Sequence, residues 1–308
     1  MPAHLFILDQ GETDHPTGPL NGRIFTCLAD GSSPRDLLVG LHDHPDADHN
    51  LRQAEHDSIY FTNMGQPSPD GWTKAGSIQR CNLDGSNLTT ILSAGEKTHT
   101  PKQLVIASKA KKLYWCDREG MRVMRCNLDG SNVETLVQNG DVENLEHRKD
   151  YLRWCIGIQV DEAAGYVYWT QKGPPKGGKG RIFRCLVEPE GDREIETLFD
   201  GLPEPIDLEL DLQEQYIYWT DRGDVPYGNT VNRAKIPARG EKTTHEILVR
   251  KLHEGIGLAL DEREKSMYIT DLLGGVYRAD LDGKNEAVLF PDLGTLTGIA
   301  LAHLETGV

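Results

Sequence analysis

No apolar stretch of 18 residues occurs in the sequence, so no membrane-spanning helix is expected. The first residues, Met1-Pro2-Ala3-His4-Leu5-Phe6, lack the basic n-region and long apolar run of a secretory leader, and a cytoplasmic protein is the expectation. Basic residues are in the minority: 33 Lys and Arg against 48 Asp and Glu give a formal charge of −15. With no Lys/Arg stripe to offset it, that balance repels phosphate backbones and anionic lipid, so neither nucleic acid nor a membrane surface is an expected partner. There is no Gly-x-Ser-x-Gly, no Walker loop and no dinucleotide fingerprint. The common nucleophile and cofactor classes are therefore unsupported, and no cofactor is expected.

Six cysteines would suffice for three disulfides, but four of them fall at one repeated position. Cys27, Cys81, Cys126 and Cys185 each close an Ile/Val-x-x-Cys segment whose later counterparts end in Ala234 and Ala279. Equivalent positions of successive repeats lie a whole unit apart, beyond the roughly 4.4–6.8 Å between Cα atoms that a disulfide spans. Exchange with Ala marks these as small buried thiols.

What the sequence does have is repetition. Phe6-Ile7-Leu8-Asp9, Tyr60-Phe61-Thr62-Asn63, Tyr114-Trp115-Cys116-Asp117, Tyr168-Trp169-Thr170-Gln171, Tyr218-Trp219-Thr220-Asp221 and Tyr268-Ile269-Thr270-Asp271 follow one another at intervals of 54, 54, 54, 50 and 50 residues. A period of that size signals a repeat architecture. Within the fifth unit, segments 205–211, 216–220, 230–234 and 245–249 are short, rich in β-branched or aromatic residues, and separated by Gly, Pro, Asp or Asn. Four strands in each of six units predict an all-β, six-bladed β-propeller of four-stranded antiparallel blades, a single domain over residues 1–308. Repeated turns such as Leu83-Asp84-Gly85-Ser86 and Leu128-Asp129-Gly130-Ser131 supply the positive-φ residue of a tight hairpin, and lack the further ligands of a calcium loop. Gly298-Ile299-Ala300-Leu301-Ala302 reads as a first strand, whereas residues 4–9 read as a second, so the two chain ends complete one blade and close the ring.

The Tyr-Trp-Thr-Asp phrase, the strand before it, as in Gly257-Leu258-Ala259-Leu260-Asp261, and the turn after it, as in Arg125-Cys126-Asn127-Leu128-Asp129-Gly130-Ser131-Asn132, resemble the YWTD (class B) repeats of the low-density-lipoprotein receptor family. That family implies six-bladed propellers. The EGF-like modules and disulfide framework of the receptors are not in this sequence. Read as the stand-alone intracellular protein expected above, it resembles a fungal group that includes hetero-Diels–Alderases of tropolone-sesquiterpenoid biosynthesis. This resemblance implies small-molecule substrates: a tropolone alcohol that loses water to a quinone methide, and a polyene such as humulene that captures it.

In a propeller, the loop leading into each inner strand and the loop leaving each second strand meet at one mouth of the central channel. The irregular sequence falls there, in exit loops 10–22, 63–76, 171–180 and 221–230 and in approach loops 40–48 and 138–154. Counting fourteen residues back from each anchor places Asp46, Thr100, Trp154, Glu204 and Glu254 at the mouth, with Thr295 completing the ring; two residues later come Asp48, Lys102, Ile156, Ile206, Ile256 and Thr297. Glu204, Glu254, Lys102 and Asp48 are the candidate catalytic groups, since grouped carboxylates raise one another's pKa toward acid–base work. Trp154, Thr100, Asp46, His49, Trp72, Tyr227 and Thr295 are the candidate substrate-binding residues. The competing reading makes the glutamates solvated loop residues and pairs Asp48 with Lys102 structurally.

His42-Asp43-His44-Pro45-Asp46-Ala47-Asp48-His49 carries metal-ligating residue types without a zinc spacing, and a polar loop before a strand accounts for it equally; no metal is assigned. Val142, Leu145 and Leu152 near helical spacing predict a short helix over the mouth with Asp141 as its N-cap. His99, His147 and His253 read as surface or loop residues. Two functions of different class follow: an enzyme acting on a small, largely apolar molecule at the channel mouth, or a non-catalytic propeller binding a protein partner through the same face.

Overall fold

The computed structural model describes residues 1–11, 22–41, 58–65 and 71–304, with residues 67–68, 71 and 72 described through their backbone alone. It is a six-bladed β-propeller. In the fifth blade the strands are Pro205–Asp211, Tyr216–Asp221, Thr230–Lys235 and His245–Arg250, paired antiparallel in chain order. They extend the segments expected from the sequence by no more than one residue. The third, fourth and sixth blades repeat the pattern, and the first is completed when Leu296–His303 pairs with Ala3–Asp9. In the second blade three strands, Ser58–Asn63, Ser77–Asn82 and Thr89–Leu92, fall among the described residues, and its expected inner strand does not. Its exit loop adds a small hairpin, Pro67–Ser68 against Gly71–Trp72, which the sequence did not announce.

Alternation along the strands decides what is buried. Trp115, Trp169 and Trp219 are fully buried between blades, each removing about 150–250 Å² from water at about 25 cal/mol per Å². The thiols of Cys27, Cys81 and Cys126 lie in the same kind of inter-blade core, and burial pushes each up to about 12. All six cysteines are free and buried, including the four whose position is taken by Ala in the last two blades.

The repeated Thr of the phrase ties one blade to the next. Thr220 Oγ1 accepts from Asp207 N of its own blade (3.1 Å) and donates to Ile256 O of the next (2.8 Å). Thr170 does the same with Gly157 N and Ile206 O, and Thr270 with Gly257 N and Thr297 O. The acidic residue that follows organises the approach loop: Asp117 accepts the N–H groups of His99 and Thr100, and Asp221 those of Glu204 and Gly223. The Asp-Gly turns close gaps between blades at the outer edge. Gly130 has a φ of 82°, and a Cβ there would lie 2.2 Å from Ile91 O of the preceding blade. Only glycine meets both demands.

Pairing of Pro205 with Asp221, Asp221 with Thr230 and Thr230 with Arg250 brings approach and exit loops to one rim. Successive inner strands contact one another around the axis. Near that rim Ile156, Ile206 and Ile256 pack together as an apolar floor. At the other end the channel opens into a cavity of about 390 Å³, where Gln159 Nε2 donates to Glu209 Oε2 at 2.8 Å.

Candidate functional site

Above the isoleucine floor, the approach positions alternate with the residues that follow each Tyr-Trp phrase. Those following residues are Gln10, Met64, Arg118, Lys172, Arg222 and Leu272, six equivalent positions of which three consecutive ones are basic. The register is set by one repeated backbone bond: Arg118 N donates to Thr100 O, Arg222 N to Glu204 O, Leu272 N to Glu254 O and Gln10 N to Thr295 O, at 2.9–3.2 Å. Approach and exit residues therefore stand side by side.

The result is a chain of alternating charges across blades three to six. Thr100 Oγ1 is bonded to Glu119, whose carboxylate is held by Arg118 at 2.6 Å. The Arg118 guanidinium lies 4.7 Å above the ring of Trp154, and Lys172 Nζ lies 5.9 Å from the same ring. Lys172 Nζ pairs with Glu204 Oε1 at 2.7 Å, while Lys176 N donates to Glu204 Oε2 at 3.0 Å. Arg222 spans both glutamates, with Nε 3.4 Å from Glu204 Oε1 and Nη2 3.0 Å from Glu254 Oε2. Lys176 continues the chain to Glu254 at 4.0 Å and Asp224 at 3.3 Å.

Burial divides this network into a fixed part and an accessible part. Glu204 is fully buried, which removes the reading of it as a solvated loop residue; Glu254 keeps 34% of its side chain exposed, and Arg222 25%. Glu254 is also backbone-strained: its φ is 60°, held by donation of its N–H to Asn229 Oδ1 at 2.8 Å. Non-glycine residues in that region cost about 1–3 kcal/mol and concentrate at functional sites. Burial holds Lys172 below the ordinary lysine range, with the charge of Glu204 opposing and those of Arg222 and Arg118 adding. Asp221, behind Glu204, is raised to about 7 by burial, with the Glu204 charge contributing.

Trp154 forms the aromatic wall. It packs on the isoleucine floor, its Nε1 donates to Arg148 O at 2.7 Å, and Tyr151 meets it edge-on at 4.4 Å. The helix expected over the mouth is present as Leu145–Lys149, followed by a 3-10 turn, Tyr151–Arg153. Its cap differs from expectation. Asn144 accepts from Glu146 N and His147 N, whereas Asp141 accepts from Glu143 N and donates its own N–H to His147 Nδ1. His99, read as a surface or loop residue, does lie in the approach loop but is buried, 1% exposed beneath this helix, with Arg148 Nη1 at 3.3 Å from Nε2. Burial, the largest influence, lowers its pKa.

The structure thus brings together Thr100, Trp154, Glu204 and Glu254 of the residues singled out in the sequence. Lys102 is 3% exposed on the channel wall, one step below the mouth. Thr295 lies across the ring, its N–H directed to Asp9 Oδ1 at 3.2 Å. Tyr227 stands apart from the mouth, 68% exposed in a groove between blades four and five. Asp46, Asp48, His49 and the rest of the 42–49 segment lie outside the described residues, as does the side chain of Trp72. Arg118, Glu119, Lys172, Lys176 and Arg222 were not anticipated. Three of them were readable, by counting four residues forward from each anchor as well as fourteen back.

A buried carboxylate fixing a lysine, an accessible carboxylate–guanidinium pair and an aromatic wall over an apolar floor define a propeller with a preorganised polar site at its channel mouth. The chain belongs to the family of a Pyricularia oryzae protein named low-density lipoprotein receptor-related protein 1, to which it is 47% identical over 318 aligned positions covering 97% of this chain and 98% of that protein. It is also 37% identical over 313 positions to a Cochliobolus heterostrophus protein named 3-hydroxyacyl-CoA dehydrogenase-like protein LAM1, of whose length it spans 64%. No protein-family model matches the sequence. Among solved structures, a chain of a nidogen/laminin complex shares the fold at a TM-score of 0.70 and 19% identity, covering 98% of both chains. A periplasmic gluconolactonase of Pseudomonas aeruginosa shares it at 0.56 and 11%, covering 97% of this chain and 99% of that one. No helix among the described residues is long and apolar enough to cross a membrane.

Proposed function

We propose that the chain is a small-molecule enzyme of secondary metabolism, a hetero-Diels–Alderase that assists dehydration of a tropolone alcohol to a quinone methide and its cycloaddition to a polyene such as humulene. The observation that carries the reading is the Lys172–Glu204 pair at 2.7 Å, buried beneath Trp154 and beside the accessible Arg222–Glu254 pair. Dehydration needs a proton removed from the ring hydroxyl and a proton delivered to the departing hydroxide. Glu254 is the acceptor with access to ligand; Lys172, held by Glu204, is the donor facing the leaving oxygen. The C–O bond breaks, water departs, and the ring oxygen and exocyclic carbon become the ends of a heterodiene. The polyene double bond then closes across those ends, forming one C–O and one C–C bond with no further proton transfer.

Orientation and electrostatic stabilisation supply the acceleration, since cycloaddition itself needs no nucleophile. Trp154, packed on the isoleucine floor with the Arg118 guanidinium over its ring, gives the mouth an aromatic and cationic wall against which a planar, oxygen-bearing ring can be oriented, and Arg222 adds a partly exposed guanidinium beside Glu254. The test is direct: the purified protein is incubated with a tropolone alcohol and a polyene, and adduct formation is compared with the uncatalysed mixture. Acceleration that Trp154→Ala reduces supports the reading; adduct at the background rate with folded protein overturns it.

A further inference from the structure

Between blades four and five, outside the channel mouth, a groove of about 820 Å³ runs along the side of the ring. Its volume lies in the range of about 300–1,000 Å³ usual for small-molecule sites. The floor is Leu198, Phe199 and Leu202, each less than 9% exposed, with Phe199 packed at 5.0 Å on the ring of Trp219. The His245 ring, 5.3 Å from Trp219, borders it on one side, and Tyr227 stands free on the other with 68% of its surface exposed.

The charges around the groove balance in sign, two basic (Lys176, Lys242) against two acidic (Asp200, Asp224). Lys176 pairs with Asp224 at 3.3 Å, Lys242 Nζ donates to Thr197 O at 3.0 Å, and Asp200 accepts Gly201 N at 2.8 Å. An ionic ligand finds no surplus charge of the opposite sign and would bring its own desolvation cost over the apolar floor. A ligand without charge meets an apolar floor, an aromatic flank and the hydroxyls of Thr243 and Thr244. Lys176, which lines the groove, also contacts Glu204 and Glu254, so this one residue stands between groove and mouth.

We propose that this groove is a second binding site, for an uncharged and largely hydrocarbon ligand carrying at most a hydroxyl or carbonyl group. The proposal is independent of the reaction assigned to the mouth, because it concerns equilibrium binding and needs no turnover.

The experiment titrates the whole protein with the neutral dye Nile red, reads its fluorescence, and displaces it with decanol or decanoate. Three variants are compared, each checked for folding by circular dichroism: Thr244→Trp, which fills the groove from an exposed strand end, Tyr227→Ala, which removes its flank, and Trp154→Ala at the mouth. Saturable one-to-one binding is expected, weakened at least tenfold by Thr244→Trp and severalfold by Tyr227→Ala, and changed less than twofold by Trp154→Ala. Decanol should displace the dye at concentrations at least tenfold below those of decanoate. The proposal is overturned by absence of saturable binding, by binding undiminished in the folded groove variants, by loss in Trp154→Ala alone, or by equal displacement by the two competitors. Should Thr244→Trp not fold, Tyr227→Ala decides.

Discussion

Lys172 and Glu204, supplied by neighbouring blades, meet at 2.7 Å with neither side chain more than 9% exposed. Removing one partner of such a pair strands a buried charge, at a cost of about 3–5 kcal/mol, whereas replacing both by apolar side chains is often close to neutral. Glu204→Gln should therefore destabilise the fold by several kcal/mol in urea denaturation, and Lys172→Met with Glu204→Leu should recover most of the loss. Simple additivity of the two single changes would show that the pair is not coupled.

Asp221 adds a pH dependence. Its carboxyl rises from 3.8 to about 7, chiefly through burial, so between those values the folded protein holds a proton that the unfolded chain releases. The stabilisation is fully present below about pH 4 and is lost as pH rises through 7, amounting to at most about 4 kcal/mol at 1.36 kcal/mol per unit. Asp221→Asn cannot ionise and should flatten this part of the stability–pH curve. An identical slope in both proteins between pH 4 and 7 would exclude the assignment.

Thr220→Val keeps shape and removes the hydroxyl that bridges Asp207 N and Ile256 O. Two buried backbone groups lose a partner, and a loss of about 1–3 kcal/mol is expected. Calorimetry of Thr220→Val beside Thr220→Ser separates hydroxyl from methyl, since serine should retain most of the stability.

Gly130 and Gly165 both have positive φ, 82° and 71°, yet their surroundings differ. A Cβ at Gly165 meets nothing within 4 Å, whereas at Gly130 it meets Ile91 O at 2.2 Å. Gly165→Ala should cost about 1 kcal/mol, for backbone conformation alone, and Gly130→Ala distinctly more as blades two and three are forced apart. Equal melting temperatures for the two variants would contradict the inter-blade role of the turn.

For the proposed reaction, Glu254→Gln should lower kcat about 10²-fold, the usual scale of a general base, while leaving stability nearly unchanged because Glu254 is partly exposed. Trp154→Ala should raise KM for the tropolone more than it lowers kcat. Full activity in both variants would remove the mouth from the mechanism.

The scaffold was legible because its determinants are local and repeated. Counterparts of Tyr218, Trp219, Thr220 and Asp221 recur at near-constant intervals, and in the fifth blade these residues bury their rings, bridge to the next inner strand and anchor an approach loop. The same counting located Thr100, Trp154, Glu204 and Glu254. It missed Arg118, Lys172 and Arg222, which also keep register, because a residue just past a regular phrase reads as the start of a loop.

By itself, then, the sequence determined the number of blades, their strands, the closure through both chain ends and the rim at which irregular loops gather, since period-two alternation and turn chemistry act over a few residues. Only the tertiary structure decided which glutamate is buried and which accessible. Glu204 and Glu254 occupy equivalent positions and are the same residue type. Their difference arises from neighbours fifteen or more residues away, Lys172 and Arg222 around one carboxylate, Asn229 beneath the other's backbone, and burial depends on what the ring brings together in space.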